Sequence, residues 1–239
     1  MKKLLTLIFL LCLFQTTPSY SLDSRTGWWY DPTALGQGLS IEVFNDSAVI
    51  GAYSLDSEGN PRFYLSLGDI NSNSYTGKVY HWKNDHGAMS FSIIGEFTIN
   101  FNDTSARVHF SSNEAYKPFK ENYEVLKISS TLLGNAPVRE NLQGWWITQE
   151  EPFGAIFIDA STSNCLTTWF YFNDKSEAEW RMNYGALPST SHTFFAPSMK
   201  WKTGSQLKFD GATILHINSN KTVNLLHRSS NRTFVKLEL

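Results

Sequence analysis

The chain is poor in cysteine: it has two, Cys12 and Cys165. Cys12 lies in an N-terminal leader, so the rest of the chain keeps one thiol. A single thiol cannot close an internal disulfide, and burial must hold the fold together. Cys165 sits in the apolar run Cys165-Leu166-Thr167-Thr168-Trp169-Phe170 and reads as a small buried hydrophobe. Long hydrophobic runs are also scarce. The largely apolar stretch Leu4–Phe14 falls well short of the ~20 residues needed to cross a bilayer as a helix. Charge of one sign is lacking too: the formal net charge is −2 and no basic stripe stands out, which argues against nucleic-acid binding. The sequence has no Gly-x-Ser-x-Gly nucleophile elbow and no Gly-rich phosphate loop leading into a helix.

What is present begins with an export signal. Lys2 and Lys3 precede the apolar stretch, and Ser19 and Ser21 occupy the small-residue positions expected before cleavage. Residues 1–21 are therefore expected to be a signal peptide. The exported protein is expected in the periplasm or outside a bacterial cell, with the membrane concerned only through that signal. Cleavage there leaves 218 residues with a net charge of −4, since Lys2 and Lys3 are lost.

The second positive feature is a duplication. Gly27-Trp28-Trp29 recurs 117 residues later as Gly144-Trp145-Trp146. At the same offset Glu42 matches Asp159, Tyr53 matches Phe170, Phe63 matches Trp180 and Gly68 matches Gly185. A repeat of this kind points to one structural unit used twice. Within each half the apolar period is two: Leu39, Ile41 and Val43 alternate with Ser40, Glu42 and Phe44, and Phe97, Ile99 and Phe101 with Thr98 and Asn100. Turn clusters punctuate the pattern at Asn45-Asp46, at Ser57 to Pro61, at Asn84 to Gly87 and at Asn102-Asp103. The first half is expected to hold strands around 27–30, 37–44, 47–54, 61–68, 74–83, 91–101, 104–111 and 122–129, and the second half a similar set. The fold class is all-β: two tandem antiparallel meander repeats of about eight strands, barrel-like or sandwich-like. Residues 22–130 form the first repeat, 131–143 the linker and 144–239 the second.

Gly27-Trp28-Trp29-Tyr30-Asp31-Pro32, Gly36-Gln37-Gly38-Leu39-Ser40-Ile41-Glu42 and Asp56-Ser57-Glu58-Gly59-Asn60-Pro61-Arg62-Phe63-Tyr64 resemble a repeat of exported bacterial proteins of uncharacterised activity. That resemblance implies export and repeat architecture, and carries no activity. The second half replaces Gly59-Asn60-Pro61 with Ser176-Glu177-Ala178. The plan of glycine and tryptophan ahead of an eight-strand meander is also similar to avidin-type barrels. This implies a ligand mouth at one barrel end.

Neighbouring strand residues face opposite ways, so only one of Trp28 and Trp29, and one of Trp145 and Trp146, can be core. The outward member either edges a binding cleft or packs against the other half. Glu42 and Asp159 share one strand position; they lie on a solvated outer face or are buried acids needing a partner such as Arg62 or Arg181. The candidate ligand-binding residues are Trp28, Trp29, Glu42, Tyr64, Trp145, Trp146, Asp159 and Trp180. His81 and His86 lack a recognised metal-ligand spacing; no metal, cofactor or catalytic residue is expected. The leading expectation is a non-enzymatic binding module for a small molecule, glycan or protein surface through aromatic-edged clefts. The alternative is a structural envelope or surface interaction protein with no pocket. Less favoured are a glycan-acting enzyme using two acids and one outer-membrane barrel of about sixteen strands.

Overall fold

The computed structural model describes residues 23–34, 36–85, 88–112, 118–128, 137–148, 154–188, 190–202, 206–219, 221–228 and 230–237. The expected signal peptide, residues 1–21, and the linker residues 131–136 lie outside the described residues. Sixteen strands run through the described residues. The first eight are β1 (Gly27–Tyr30), β2 (Gly38–Phe44), β3 (Ser47–Leu55), β4 (Pro61–Asn71), β5 (Ser74–Asp85), β6 (Ala88–Phe101), β7 (Ser105–Ser111) and β8 (Asn122–Lys127). The second eight are β9 (Gly144–Thr148), β10 (Gly154–Ala160), β11 (Asn164–Phe172), β12 (Ala178–Ala186), β13 (Thr193–Lys202), β14 (Gln206–Ile217), β15 (Thr222–His227) and β16 (Ser230–Lys236). Successive strands pair antiparallel, and β1 closes on β8 just as β9 closes on β16. The result is two closed barrels of eight strands, not one barrel of sixteen. Closure leaves neither sheet with an unpaired edge.

Alternation decides which residues fill each barrel. Trp29, Leu39, Ile41, Ile50, Phe97 and Phe110 face into the first, and Trp146, Ile156, Ile158, Trp169, Phe194 and Leu225 into the second. Trp29 and Trp146 are fully buried and occupy equivalent places. Each indole donates to a carbonyl four residues back, Trp29 Nε1 to Arg25 O at 3.1 Å and Trp146 Nε1 to Leu142 O at 3.0 Å. A lysine lies over each ring, Lys127 and Lys236, both 5.8 Å from the centroid. The end of the linker belongs physically to the second barrel. Leu142 is in its core, and Val138 bridges to Ser161.

One turn departs from the sequence expectation. Between β3 and β4, Asp56 Oδ1 accepts from the backbone N–H groups of Glu58 and Asn60, and Gly59 has φ 80°. The second half lacks glycine there, yet the turn between β11 and β12 has the same build. Asn173 Oδ1 accepts from Lys175 and Glu177, and Ser176 adopts φ 62° in the place of Gly59. The side-chain bonds of the first turn residue hold the loop even where the left-handed position carries a Cβ.

Candidate functional site

The outward face of β1 to β4 packs against the outward face of β9 to β12, and the duplicated residues meet there. Trp28 stacks on Tyr53 at 5.5 Å, and its counterpart Trp145 lies 5.5 Å from Phe170, the counterpart of Tyr53. Tyr53 reaches Trp180 at 4.9 Å, and Phe63 touches Phe170 at 5.5 Å and Phe172 at 5.3 Å. Trp28, Val49, Tyr53, Phe63, Trp145, Phe157, Phe170 and Trp180 form one buried apolar cluster spanning both barrels. The outward tryptophan of each pair is therefore spent on the contact between halves.

The two acids at the repeated strand position sit in the same seam, and they reach across it. Trp145 N donates to Glu42 Oε2 at 2.5 Å, and Trp28 N donates to Asp159 Oδ2 at 3.2 Å. Each barrel thus caps the first tryptophan of the other. The contact is isologous, as in a two-fold homodimer: the Glu42 position of one half meets the Trp28 position of the other, and the reverse. The glycine of the motif follows from this. Gly27 and Gly144 have φ 143° and 113°, and a Cβ on Gly144 would overlap the Glu42 carboxylate.

The acids differ in their further bonds. Asp159 Oδ1 accepts from Gln143 Nε2 at 2.9 Å, and Gln143 Oε1 accepts from Ala160 N at 3.0 Å. At the matching place in the first barrel Thr26 Oγ1 accepts from Val43 N at 3.0 Å. Burial pushes Glu42 up to about 8, against a smaller downward pull from the Trp145 N–H and Lys236. The two arginines expected as partners pair elsewhere. Arg62 pairs with Asp56 at 2.7 Å and Arg181 with Asp210 at 2.6 Å. An unpaired N–H is as good a partner for a carboxyl group, and it leaves no trace in residue type.

Beside the seam a cleft of about 260 Å³ lies between the barrels. Phe63, Leu65, Leu67 and Trp82 wall it on the first barrel, Trp145 and Phe170 on the second. Leu237 contributes at the C-terminal end of the described chain. Leu67 is well exposed on the cleft wall. Gly51 makes room for the Trp145 ring, which a Cβ there would overlap.

Of the eight residues expected to bind a ligand, Trp145 and Tyr64 border this cleft. The Tyr64 ring itself turns into the first barrel, against His81 and Phe119. Trp28, Glu42, Asp159 and Trp180 are in the seam, while Trp29 and Trp146 are barrel core. Leu65, Leu67, Trp82 and Ile147 were not singled out; outward alternation on β4, β5 and β9 is the signal that marks them. His81 is half-buried, and burial, with Lys83 and Arg62 nearby, lowers it to about 4. His86 lies outside the described residues. Cys165 is buried in the second barrel, and burial pushes its thiol up. Among the described residues no three His, Cys, Asp or Glu side chains are grouped so as to hold a metal ion. No family model, no curated protein and no solved structure matches the chain, so the likeness to exported bacterial repeats rests on the motifs alone.

Proposed function

We propose that the protein is an exported, non-enzymatic binding module that takes an apolar small molecule, or the apolar part of a larger one, between its two barrels. The cleft walled by Phe63, Leu65, Leu67, Trp82, Trp145 and Phe170 carries this reading. Its volume is just below the range usual for drug-sized ligands, and its walls are hydrocarbon and aromatic. Such walls favour burial of apolar surface at about 25 cal/mol per Å² and offer little to orient a polar substrate. That is a binding chemistry, and no nucleophile or acid–base pair stands at the cleft among the described residues.

The structural alternative has its own observation. Trp28 and Trp145, the most conspicuous aromatics of the repeat, are used to join the halves. Titration with N-phenyl-1-naphthylamine, an uncharged fluorescent apolar probe, separates the two readings. Saturable one-to-one binding is expected, and Leu67→Trp, which fills the cleft from its exposed wall, should abolish it without loss of thermal stability. Absence of saturable binding, or binding indifferent to Leu67→Trp, leaves the structural reading.

A further inference from the structure

The two barrels share a lattice of inward-facing positions, and strand pairing matches them one to one. In the first barrel Ala52 is opposite Tyr64, Ile50 opposite Ser66 and Phe97 opposite Phe110. In the second, the same places hold Trp169 opposite Arg181, Thr167 opposite Asn183, and Thr213 opposite His227. The end of the first barrel is also plugged. Phe119, from the connection between β7 and β8, inserts against Phe97 at 5.1 Å and Phe110 at 5.3 Å, and Pro118 O accepts from Ser54 Oγ at 2.6 Å. The equivalent connection in the second barrel is too short to supply such a plug: only two residues separate β15 from β16.

The polar interior that replaces the aromatic one is partly paired. Asn183 Nδ2 donates to Thr167 Oγ1 at 2.9 Å, and His227 Nδ1 lies 3.1 Å from Thr213 Oγ1. Arg181 Nε donates to Asp210 Oδ2 at 2.6 Å, and its guanidinium lies 4.4 Å from the Tyr171 ring centre and 5.3 Å from that of Trp169. Other buried atoms have no hydrogen-bond partner: Asn183 Oδ1, Ser198 Oγ and Trp169 Nε1, while His227 Nε2 faces Asp210 Oδ2 at 3.6 Å. Asn183 and Ser198 are 0% exposed and His227 3%. Buried polar atoms left unpaired are rare and unfavourable, and those in a native fold call for a reason. These three belong to one cluster with His227. Asn183 is opposite Ser198 across β12 and β13, and the His227 ring meets Trp169 at 5.8 Å. Above them Arg181 and Lys200 pair with Glu179, Arg181 and Arg228 pair with Asp210, and Arg232 lies over the Trp169 ring.

We propose that the interior of the second barrel is a binding site for a small hydroxylated carboxylate. The carboxylate lies toward the arginines and lysine at the mouth. A ligand hydroxyl donates to Asn183 Oδ1, and others bond Ser198 Oγ and Trp169 Nε1. The site is separate from the apolar cleft and differs from it in chemistry, so either can fail alone.

Thermal unfolding and calorimetric titration of the full exported chain test it, with galacturonate as probe and galactose as the uncharged control. Galacturonate is expected to bind saturably and raise the Tm, and galactose to bind at least about tenfold more weakly. Ser198→Ala and Asn183→Leu should each weaken galacturonate by about tenfold; Ser198→Ala should leave the ligand-free Tm equal or higher, since it removes an unpartnered buried group, whereas Asn183→Leu also breaks the bond to Thr167 and should lower it. Leu67→Trp in the cleft should leave galacturonate binding unchanged. The proposal falls if galacturonate produces no saturable shift, or if galactose binds equally well. It also falls if Ser198→Ala lowers the ligand-free Tm without altering affinity, which is the mark of a purely structural cluster.

Discussion

The first barrel is closed and filled; the second, built on the same strand pairings, holds a polar interior. Phe97, Phe110 and Phe119 pack edge to face in the first. In the second, Thr213 and His227 occupy the first two places, and the two-residue link between β15 and β16 is too short to supply the third. The shared lattice of hydrogen-bonded strands tolerates either filling, because strand pairing depends on the backbone and interior chemistry on the side chains. Duplication lets one copy supply stability while the other carries groups that a small barrel could not otherwise support. The isologous seam, with Glu42 and Asp159 exchanged between halves, is the geometry of a homodimer whose subunits have become one chain.

The sharpest way to break this division is to empty the filled barrel. Phe119→Ala removes a buried ring that touches Tyr64, Phe97, Phe110 and Tyr123. A loss of about 3–5 kcal/mol is expected, the usual cost of a large-to-small change in a core. Chemical denaturation measures it. In the second barrel the reverse change, Thr213→Phe with His227→Phe, writes the first barrel's pair into the polar interior. It should preserve or raise stability. If Phe119→Ala proves harmless, the first barrel is not the packed member of the pair.

The contrast between the barrels was hidden in the sequence for a physical reason, although the fold was not. Alternation along β2, β6 and β7 shows strands directly, and the Gly-Trp-Trp repeat shows two of them in register. The polar interior is spread over β11 to β15, with Trp169, Arg181, Asn183, Thr213 and His227 each isolated by alternation. Their relation appears only when inward positions of the two halves are set side by side, as Tyr64 with Arg181 and Phe110 with His227. The seam was half legible: alternation requires one tryptophan of each pair to face outward, but it does not say which. The bond from Glu42 to a backbone N–H in the other half has no signature in residue type.

The seam gives a second, smaller effect, and it sets Glu42 apart from Asp159. Burial raises Glu42 from its ordinary 4.5 to about 8 in the folded protein. The folded state therefore binds this proton more tightly than the unfolded chain does. Its contribution to stability is fully present below pH 4.5 and is lost as pH rises through about 8. Each pH unit within that window weakens folding by at most about 1.4 kcal/mol, so a few kcal/mol are at stake. Glu42→Gln keeps an oxygen to accept from Trp145 N and cannot ionise. The variant should match the parent in acid, exceed it above pH 8, and lose this part of the pH slope. A parallel slope in both proteins would place the titration elsewhere.

The smallest effect compares the two turns. Gly59 and Ser176 occupy the same left-handed position, at φ 80° and 62°, and Asp56 and Asn173 make the same pair of backbone bonds. A side chain in that conformation costs about 1 kcal/mol, which glycine avoids. Ser176→Gly should therefore raise stability by up to about 1 kcal/mol, and Gly59→Ser should lower it by a similar amount. Urea unfolding of both single variants and of the exchange carrying both changes reads the difference. The exchange should come out near the parent, since the two changes are opposite in sign and each turn is held by its own side-chain bonds. A gain confined to one turn would show that the duplicated hairpins, like the barrel interiors, have diverged in energy while keeping one backbone path.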